Sequence, residues 1–419
     1  MFNSALLALP TVWILASLVH AQGLLTPGAT PPAGFKFELG IWFADYGTPA
    51  SFNKELGRNF ASFQAAQSIP YGVENGKVIH GPEEQENQVL AAQRLDNVPS
   101  SWDDSTNASV FMTIYADYLA PNGSRGLEFV SDVAITRLAT RLDSYRSTGR
   151  DVYMRWLPEM NGEWMLYGKQ PQQYVETWRR MHAIFKRLAP KVQIVWSPNF
   201  DLPVADRSYW PGVEYVDIVG TSTYWKGFGY NSAIAVDYVA SEIANVYNTY
   251  AKANNLPFII SEASGAWEQG PGRSPITGAT FNATIDNVTQ AELQRSFWAG
   301  ILNPSFFAAF PLCRAAYIFE VAKQEEFFTD FRVLNNTAVA SAFKGVVDAV
   351  DSAGYMRWAT PVSKTSSATS TAVATSVATS SAVASVVSTT TTSSKSAAHT
   401  HLASAGMLGF VAALMMTIF

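Results

Sequence analysis

The chain has a single cysteine, Cys313, so it can form no internal disulfide, and a buried inert thiol is the expected role of that residue. Histidine is scarce, five in 419 residues, and no His/Cys group has metal-ligand spacing; neither a metal nor a cofactor is expected. Charge is scarce too. Only 15% of residues are charged, the net charge is −5, and no basic run or stripe occurs. Nucleic acid is therefore excluded as a partner, because phosphate neutralisation needs clustered Lys and Arg. No Gly-rich phosphate turn follows the first strand-like run, which disfavours the nucleotide-binding folds. No internal repeat is present.

Apolar and aromatic residues are abundant. Hydrophobic residues make up 48% of the chain, with 12 Trp, 17 Tyr and 25 Phe. A large core takes most of the Phe. The generous Trp count favours sites that use flat amphipathic rings as platforms.

A lone cysteine would suit a reducing compartment, but the two ends argue otherwise. Ala5 to Val19 is an apolar run too short to span a bilayer, and Val19-His20-Ala21 has the small-x-small pattern of a signal-peptidase site. Asn107, Asn122, Asn282, Asn287 and Asn335 head Asn-x-Ser/Thr sequons. From Ser363 to Ala398 the chain holds only Ser, Thr, Ala and Val besides Lys364 and Lys395, which cannot build a core and reads as an O-glycosylated disordered stalk. Leu402 to Phe419 is uncharged and apolar to the last residue. Small residues at Ser393, Ser394 and Ser396 and a polar spacer precede it, as in a GPI-attachment signal. A plain tail-anchor helix is the alternative. The expected division is a signal peptide at 1–21, a catalytic domain at 22–355, a stalk at 356–401 and a hydrophobic tail at 402–419. Such a protein is secreted, anchored at the cell surface, in contact with membrane only through its C-terminal anchor, and monomeric.

Between Phe37 and Asp351, short apolar runs alternate with longer helical segments. The runs are Phe37–Phe43, Ala61–Gln67, Ser109–Ala116, Val152–Leu157, Val192–Trp196, Val216–Thr221, Phe258–Ser261 and Ala315–Phe319. Several are continuously hydrophobic, as parallel strands buried on both faces require. The helical segments include Glu128–Arg150, Pro171–Leu188, Ser232–Ala253 and Thr289–Leu302, and Val130, Val133, Ala134, Leu138 and Leu142 form one stripe. The pattern predicts an α/β fold, a single (β/α)8 TIM barrel; a doubly wound open sheet is the alternative.

In so weakly charged a chain, a carboxylate at the end of an apolar strand needs a reason. Two stand out. Asp151-Val-Tyr-Met-Arg-Trp-Leu-Pro-Glu159-Met-Asn161-Gly-Glu-Trp164 and Leu256-Pro-Phe-Ile-Ile-Ser-Glu262-Ala-Ser-Gly265 each run from a strand into a polar, Gly-containing turn. By position these are the fourth and seventh strands, and barrel enzymes hold catalytic groups at such C-terminal ends. A carboxylate pair is what glycoside cleavage needs: one protonates the leaving oxygen, while the other attacks or activates water. Helix capping or pairing with Arg155 is the bland alternative.

Arg155-Trp-Leu-Pro-Glu159-Met-Asn161-Gly162-Glu-Trp164, Trp178-Arg179, Val195-Trp196-Ser197-Pro198-Asn199, Tyr215-Val-Asp217-Ile-Val-Gly220-Thr-Ser-Thr-Tyr224 and Ile260-Ser-Glu262 together resemble glycoside hydrolase family 26, whose best-known members are β-mannanases. A weaker echo, Ile318-Phe319-Glu320 with Asp330-Phe-Arg332, extends the likeness from Phe37 to Arg332. The resemblance implies that Glu159 is the acid/base and Glu262 the nucleophile of a retaining mechanism. It also implies that Tyr224 bonds the nucleophile and Trp164 lines the cleft. One departure stands beside it: many members carry His before the acid/base, and here the residue is Pro158.

The residues themselves suggest that Glu159 lies near aromatic surface and that Glu262 accepts hydrogen bonds from Tyr224 or Arg155. Asn161 holds substrate or Glu159, or merely makes the turn. Trp42, Trp156, Trp196, Trp225 and Trp267 lie near strand ends; Trp196, Trp225 and Trp267 join Arg155, Asn161, Trp164 and Tyr224 as expected substrate-binding residues. The expected ligand is a polysaccharide or oligosaccharide, with β-mannan the default and xylan or mixed-linkage β-glucan open. A wall-remodelling transglycosylase and a non-catalytic glycan-binding protein are the competing readings.

Overall fold

The computed structural model describes residues 24–43, 46–69, 73–74, 77–78, 104–116, 126–203 and 206–362. The expected signal peptide, the expected tail and all of the expected stalk beyond Val362 lie outside the described residues, as does the sequon at Asn122.

Eight strands close into a parallel barrel: β1 (Phe37–Phe43), β2 (Ser62–Ser68), β3 (Ser109–Tyr115), β4 (Val152–Trp156), β5 (Gln193–Trp196), β6 (Ile218–Trp225), β7 (Phe258–Gly265) and β8 (Cys313–Glu320). Each pairs with the next, and β8 closes on β1 through Glu38 opposite Ala315 to Phe43 opposite Glu320. Helices cover the outside, among them α1 (Pro49–Leu56), α2 (Asp132–Tyr145), α3 (Pro171–Leu188), α4 (Tyr238–Val246), α5 (Gln290–Ile301), α6 (Pro304–Ala309) and α7 (Thr337–Ser352). The (β/α)8 expectation is met.

The helices start where local chemistry supplies caps. Thr289 and Glu292 form a capping box at α5, and the Ser131 hydroxyl accepts from Ala134 N at α2. Proline opens α3, whose Tyr174, Thr177, Trp178, Met181, Ile184 and Phe185 make a buried stripe at helical spacing. In α2 the stripe differs from expectation. Val133 is 62% exposed, and Ile135 and Ala139 take the buried positions beside Ala134, Leu138 and Leu142.

Alternation along the strands sorts side chains to the two faces. The lower barrel interior is filled by Phe111, Val195, Ile218, Ile259, Ala315 and Tyr317. Gly40 is needed there, because a Cβ on it would come within 2.3 Å of the Tyr317 ring. The outward-facing residues pack against the helices in the main core.

Two strands run further than their apolar segments. β6 continues through Ser222 and Tyr224 to Trp225, and β7 through Glu262 to Gly265, paired residue by residue. Apolar-run reading stops at the first polar residue, whereas the ladder does not.

At the other end the barrel passes the expected boundary of 355. Met356–Arg357 pair with Phe37–Glu38, Asn107 N donates to Thr360 O at 3.0 Å, and Val362 N donates to Ser105 O at 2.9 Å. The compact unit ends at Val362. Backbone pairing by a short polar segment leaves no hydrophobic signature. Of the described sequons, Asn107, Asn282 and Asn287 are exposed, while Asn335 is half-buried and donates its Nδ2 to Asp330 at 2.9 Å.

Candidate active site

The site grows out of β4. Alternation turns Tyr153 and Arg155 inward, and Arg155 is completely buried. A buried guanidinium is tolerable only when its donors are used. Here Nε donates to Ser197 Oγ at 3.1 Å, one terminal nitrogen to Ser222 Oγ at 2.6 Å, and the other to Glu262 Oε1 in an ion pair. Burial acts to lower its pKa, but Glu262, Tyr115 and Glu159 together outweigh that and hold it above its ordinary value, so Arg155 stays a cation.

Past Trp156 the chain leaves the barrel through two left-handed residues, Leu157 (φ 45°) and Glu159 (φ 57°). Such conformations cost about 1–3 kcal/mol each and persist where neighbours over-determine them. The neighbours do so here: Tyr167 donates its hydroxyl to Pro158 O at 2.7 Å, Glu159 N donates to Ser197 O at 2.9 Å, and Gly162 N closes onto Glu159 O at 2.8 Å. The kinked turn aims the Glu159 carboxyl at the mouth, where Trp164 Nε1 donates to Oε2 at 2.7 Å and Asn199 Nδ2 approaches Oε1 at 3.4 Å. Glycine is required at 162, since a Cβ there would meet the Trp164 ring at 2.4 Å. Trp164 itself remains 42% exposed.

Asn161 does not bond Glu159. Its Nδ2 donates to Asp201 Oδ1 at 2.5 Å, and its Oδ1 accepts from Asn199 N at 2.9 Å, so Asp201 and Asn161 together hold the Asn199 that reaches Glu159. Burial raises the Asp201 pKa, Lys169 opposes this, and the Glu159 charge adds to it.

Across the mouth, Glu262 owes its inward direction to a β-bulge. Ile260 pairs with Thr221 and Glu262 with Ser222, so two residues of β7 oppose one of β6. Strict alternation from the inward Ile259 would send Glu262 outward. The extra residue turns both Ser261, bonded to Ser197 at 2.6 Å, and Glu262 toward the interior. The Tyr224 hydroxyl donates to Glu262 Oε2 at 2.5 Å. Burial holds the Glu262 carboxyl above its ordinary value; Arg155 opposes the rise, Glu159 adds to it, and the bonds from Tyr224 and Arg155 limit it by favouring the anion. Burial, reinforced by Glu262, holds the Tyr224 phenol well above its ordinary value, so it remains a donor. Tyr224 packs edge-on to Phe319 and Phe331 at 5.5 and 5.3 Å, and Trp42 packs edge-on to Phe319 at 5.3 Å.

The structure thus gathers Arg155, Glu159, Asn161, Trp164, Tyr224 and Glu262. Trp196 does not join them. Trp196 is fully buried, with Nε1 donating to Tyr209 O at 3.1 Å and its ring against Trp210 and Tyr250. Its neighbours Val195 and Ser197 point inward, so Trp196 must point out, and its assignment to a sugar platform is corrected to core. Trp225 follows the inward Tyr224 and packs half-buried against the main core. Trp267 lies beyond the barrel in a short strand (Trp267–Gln269). Neither has a hydrogen bond or ring contact to Glu159 or Glu262 among the described residues. Ser197, Asn199, Asp201 and Ser222 also build the site, and of these Ser197 and Asn199 carry a sequence signal, as polar residues ending an apolar strand.

Beside the site, fully buried Glu320 at the end of β8 accepts from the Tyr46 hydroxyl, from Val333 N at 2.7 Å and from Leu334 N at 2.9 Å. Burial pushes its carboxyl up to about 7. These bonds fix the loop that brings Phe331 to Tyr224.

Residues 101–267, which include both glutamates, match the sequence model of Glycosyl hydrolase family 26. The chain is 31% identical over 119 residues to Mannan endo-1,4-beta-mannosidase A and B of Caldalkalibacillus mannanilyticus, covering 25% of this chain and 23% of that protein. It is 24% identical over 164 residues to Beta-1,3-xylanase TXYA of Vibrio sp, covering 38% of this chain and 32% of the relative. The matched stretch therefore spans about a quarter to a third of these relatives' length. The barrel superposes on the catalytic domain of a Bacillus sp. JAMB-750 GH26 endo-beta-1,4-mannanase with a TM-score of 0.50 and 13% identity, over 78% of this chain and 88% of that one. A Cellulomonas fimi endo-beta-1,4-mannanase double mutant gives 0.50 and 13% over 77% and 72%. These structures share the barrel fold with the chain.

Proposed function

We propose that the protein is a retaining endo-β-glycanase with β-mannan as its default substrate, Glu262 as nucleophile and Glu159 as acid/base. The observation that carries this reading is the unequal environment of the two carboxyls. Glu262 is clamped by a buried cation and a phenol, which favours an anion and fixes its attacking oxygen. Glu159 meets only neutral donors, Trp164 and Asn199, beside a partly exposed indole, as suits a group that gives and regains a proton.

In the first step Glu262 attacks the anomeric carbon, the glycosidic C–O bond breaks, and the proton of Glu159 passes to the leaving oxygen. A glycosyl ester on Glu262 results. Water then attacks that carbon, Glu159 takes the water's proton, and the Glu262 carboxylate is released. Arg155 and Tyr224 stabilise Glu262 at the beginning and end of the cycle, and Trp164 offers its exposed face to the sugar that leaves. Pro158 can neither donate to Glu159 nor bind substrate; with Tyr167 it presets the turn.

Mannan is the default because the mannosidase and mannanase likenesses point to it. The xylanase likeness puts β-1,3-xylan in the test. Products of the full chain on β-1,4-mannan, β-1,3-xylan, β-1,4-xylan and mixed-linkage β-glucan should show internal cleavage of mannan. Cleavage of another polymer alone would replace the substrate, and cleavage of none would end the hydrolase reading.

The apolar segment Ala5–Val19, the sequons and the uncharged tail Leu402–Phe419 support a secreted, glycosylated protein held at the cell surface by a lipid anchor. Treating intact cells with a phosphatidylinositol-specific phospholipase should release it; retention with the tail peptide still detected by mass spectrometry would contradict the anchor.

A further inference from the structure

Beyond the barrel mouth, Trp267–Gln269, Phe328–Asp330 and Ala322–Gln324 form a three-stranded antiparallel sheet. Directly opposed residues share a face, so the register divides its side chains. Glu268, Thr329 and Lys323 form one row on the lower face. Glu268 and Thr329 are buried, and Glu268 accepts from Gly229 N at 2.6 Å, which pins the sheet to the loop after β6. The other face carries Trp267 in the row nearest the barrel and, two residues on, the row Gln269–Phe328–Gln324. All three residues of that outer row are exposed, Phe328 by 41%, and Trp267 is half-buried.

We propose that this outer face is a distal binding platform for the uncharged polysaccharide chain that enters the active site. The proposal rests on the glycanase reading and adds a place where sugars remote from the cleaved bond are held. The composition of the outer row is the first argument. An exposed aromatic ring covers the apolar C–H face of a sugar, and the flanking glutamines can both donate to and accept from its hydroxyls. No free charge lies in either row of this face. The acidic residue there, Asp330, is buried and paired with Arg332, and Lys323 on the lower face pairs with Glu325. A neutral polymer therefore fits better than a uronate-rich one. Continuity is the second argument. Phe331, the residue after the middle strand, is one of the rings packed on Tyr224, and Trp267 lies five residues beyond Glu262. The sheet thus starts at the wall of the site, and its two aromatic rows are about 7 Å apart along the strands. A protein partner is disfavoured because one aromatic between two amides offers far less than the roughly 1,000 Å² that a specific interface buries.

The test uses the full chain carrying Glu262→Ala, with and without Gln324→Ala and Phe328→Ala, in affinity electrophoresis through gels containing β-1,4-mannan, β-1,3-xylan or mixed-linkage β-glucan. The platform predicts retardation in at least one gel and a roughly five- to tenfold weaker dissociation constant when the two outer residues are removed. A β-linked trisaccharide of the retarding polymer, measured by calorimetry, should bind both proteins equally. Equal retardation of the two proteins, no retardation in any gel, or an equal loss for the trisaccharide would overturn the platform. So would a dimer, seen by sedimentation, that Phe328→Ala dissolves. Retardation lost with the outer residues, in a protein whose wild-type form cleaves nothing, would sink the hydrolase reading and leave the platform standing.

Discussion

Glu159 and Glu262 occupy the same end of one barrel and are delivered by opposite devices. Glu262 stays inside a strand and is turned inward by one extra residue in β7, so its direction comes from a closed hydrogen-bonded ladder. Glu159 has left its strand and is aimed by a kinked turn with two left-handed residues, held by side chains from Tyr167 and Asn199. The ladder cannot yield without opening the barrel, whereas the turn can adjust when its braces change. The first arrangement suits a group that must meet a carbon atom at a fixed distance. The second suits a group that must follow a moving proton.

The sharpest way to break this comparison is to delete each carboxyl in turn. Glu262→Ala should cost on the order of 10⁴- to 10⁶-fold in kcat on every glycoside, since no ester can form. Glu159→Ala should cost about 10²- to 10⁴-fold on polysaccharide but spare aryl glycosides whose leaving group needs no proton, with azide restoring part of the rate. Equal losses on both substrate types would erase the distinction.

Removing the supports should follow in size. Tyr224→Phe deletes one bond to a carboxylate, worth about 1.5–3 kcal/mol, and should lower kcat by roughly 10- to 100-fold. Asn161→Ala acts on Glu159 only through Asn199, so it should cost about tenfold or less and shift the acidic or basic limb of the pH profile, with little change in KM. A larger loss for Asn161 than for Tyr224 would mean that the turn, not the ladder, is the rigid member.

Two tryptophans extend the contrast to stability. Trp196→Ala removes a fully buried ring and should cost about 3–5 kcal/mol in denaturant unfolding. Trp164→Ala, at a partly exposed ring, should cost much less stability but raise KM. Reversed effects would return Trp196 to the cleft.

A pH-dependent effect concerns Glu320. Its folded pKa of about 7 lies above the ordinary 4.5, so between those values the folded state binds the extra proton. Stability contributed by that proton is present below about 4.5 and is lost as pH rises through about 7. Glu320→Gln should flatten this part of the stability–pH curve; an unchanged slope would assign it elsewhere.

Much of this could be read in the residues. Eight buried parallel strands announce themselves as apolar runs, and Glu159 and Glu262 stand out because charge is rare. The bulge at Ser261 could not be read, because a one-residue slip in a ladder changes which face a side chain takes without changing composition. Trp196 was misplaced for the related reason that nearness to a strand end says nothing about inward or outward parity. Asp201 was invisible because its partner Asn161 is forty residues away and the two meet only through the fold. The closing segment to Val362 escaped because backbone pairing needs no apolar side chain.

The most direct test of the central claim is to catch the ester. The Glu159→Ala protein, quenched during turnover of a dinitrophenyl β-glycoside of the polymer it cleaves and digested for mass spectrometry, should carry one glycosyl group on the peptide containing Glu262. An adduct on another residue, or no adduct together with an inverted anomeric configuration in the first-formed product, would contradict Glu262 as the nucleophile.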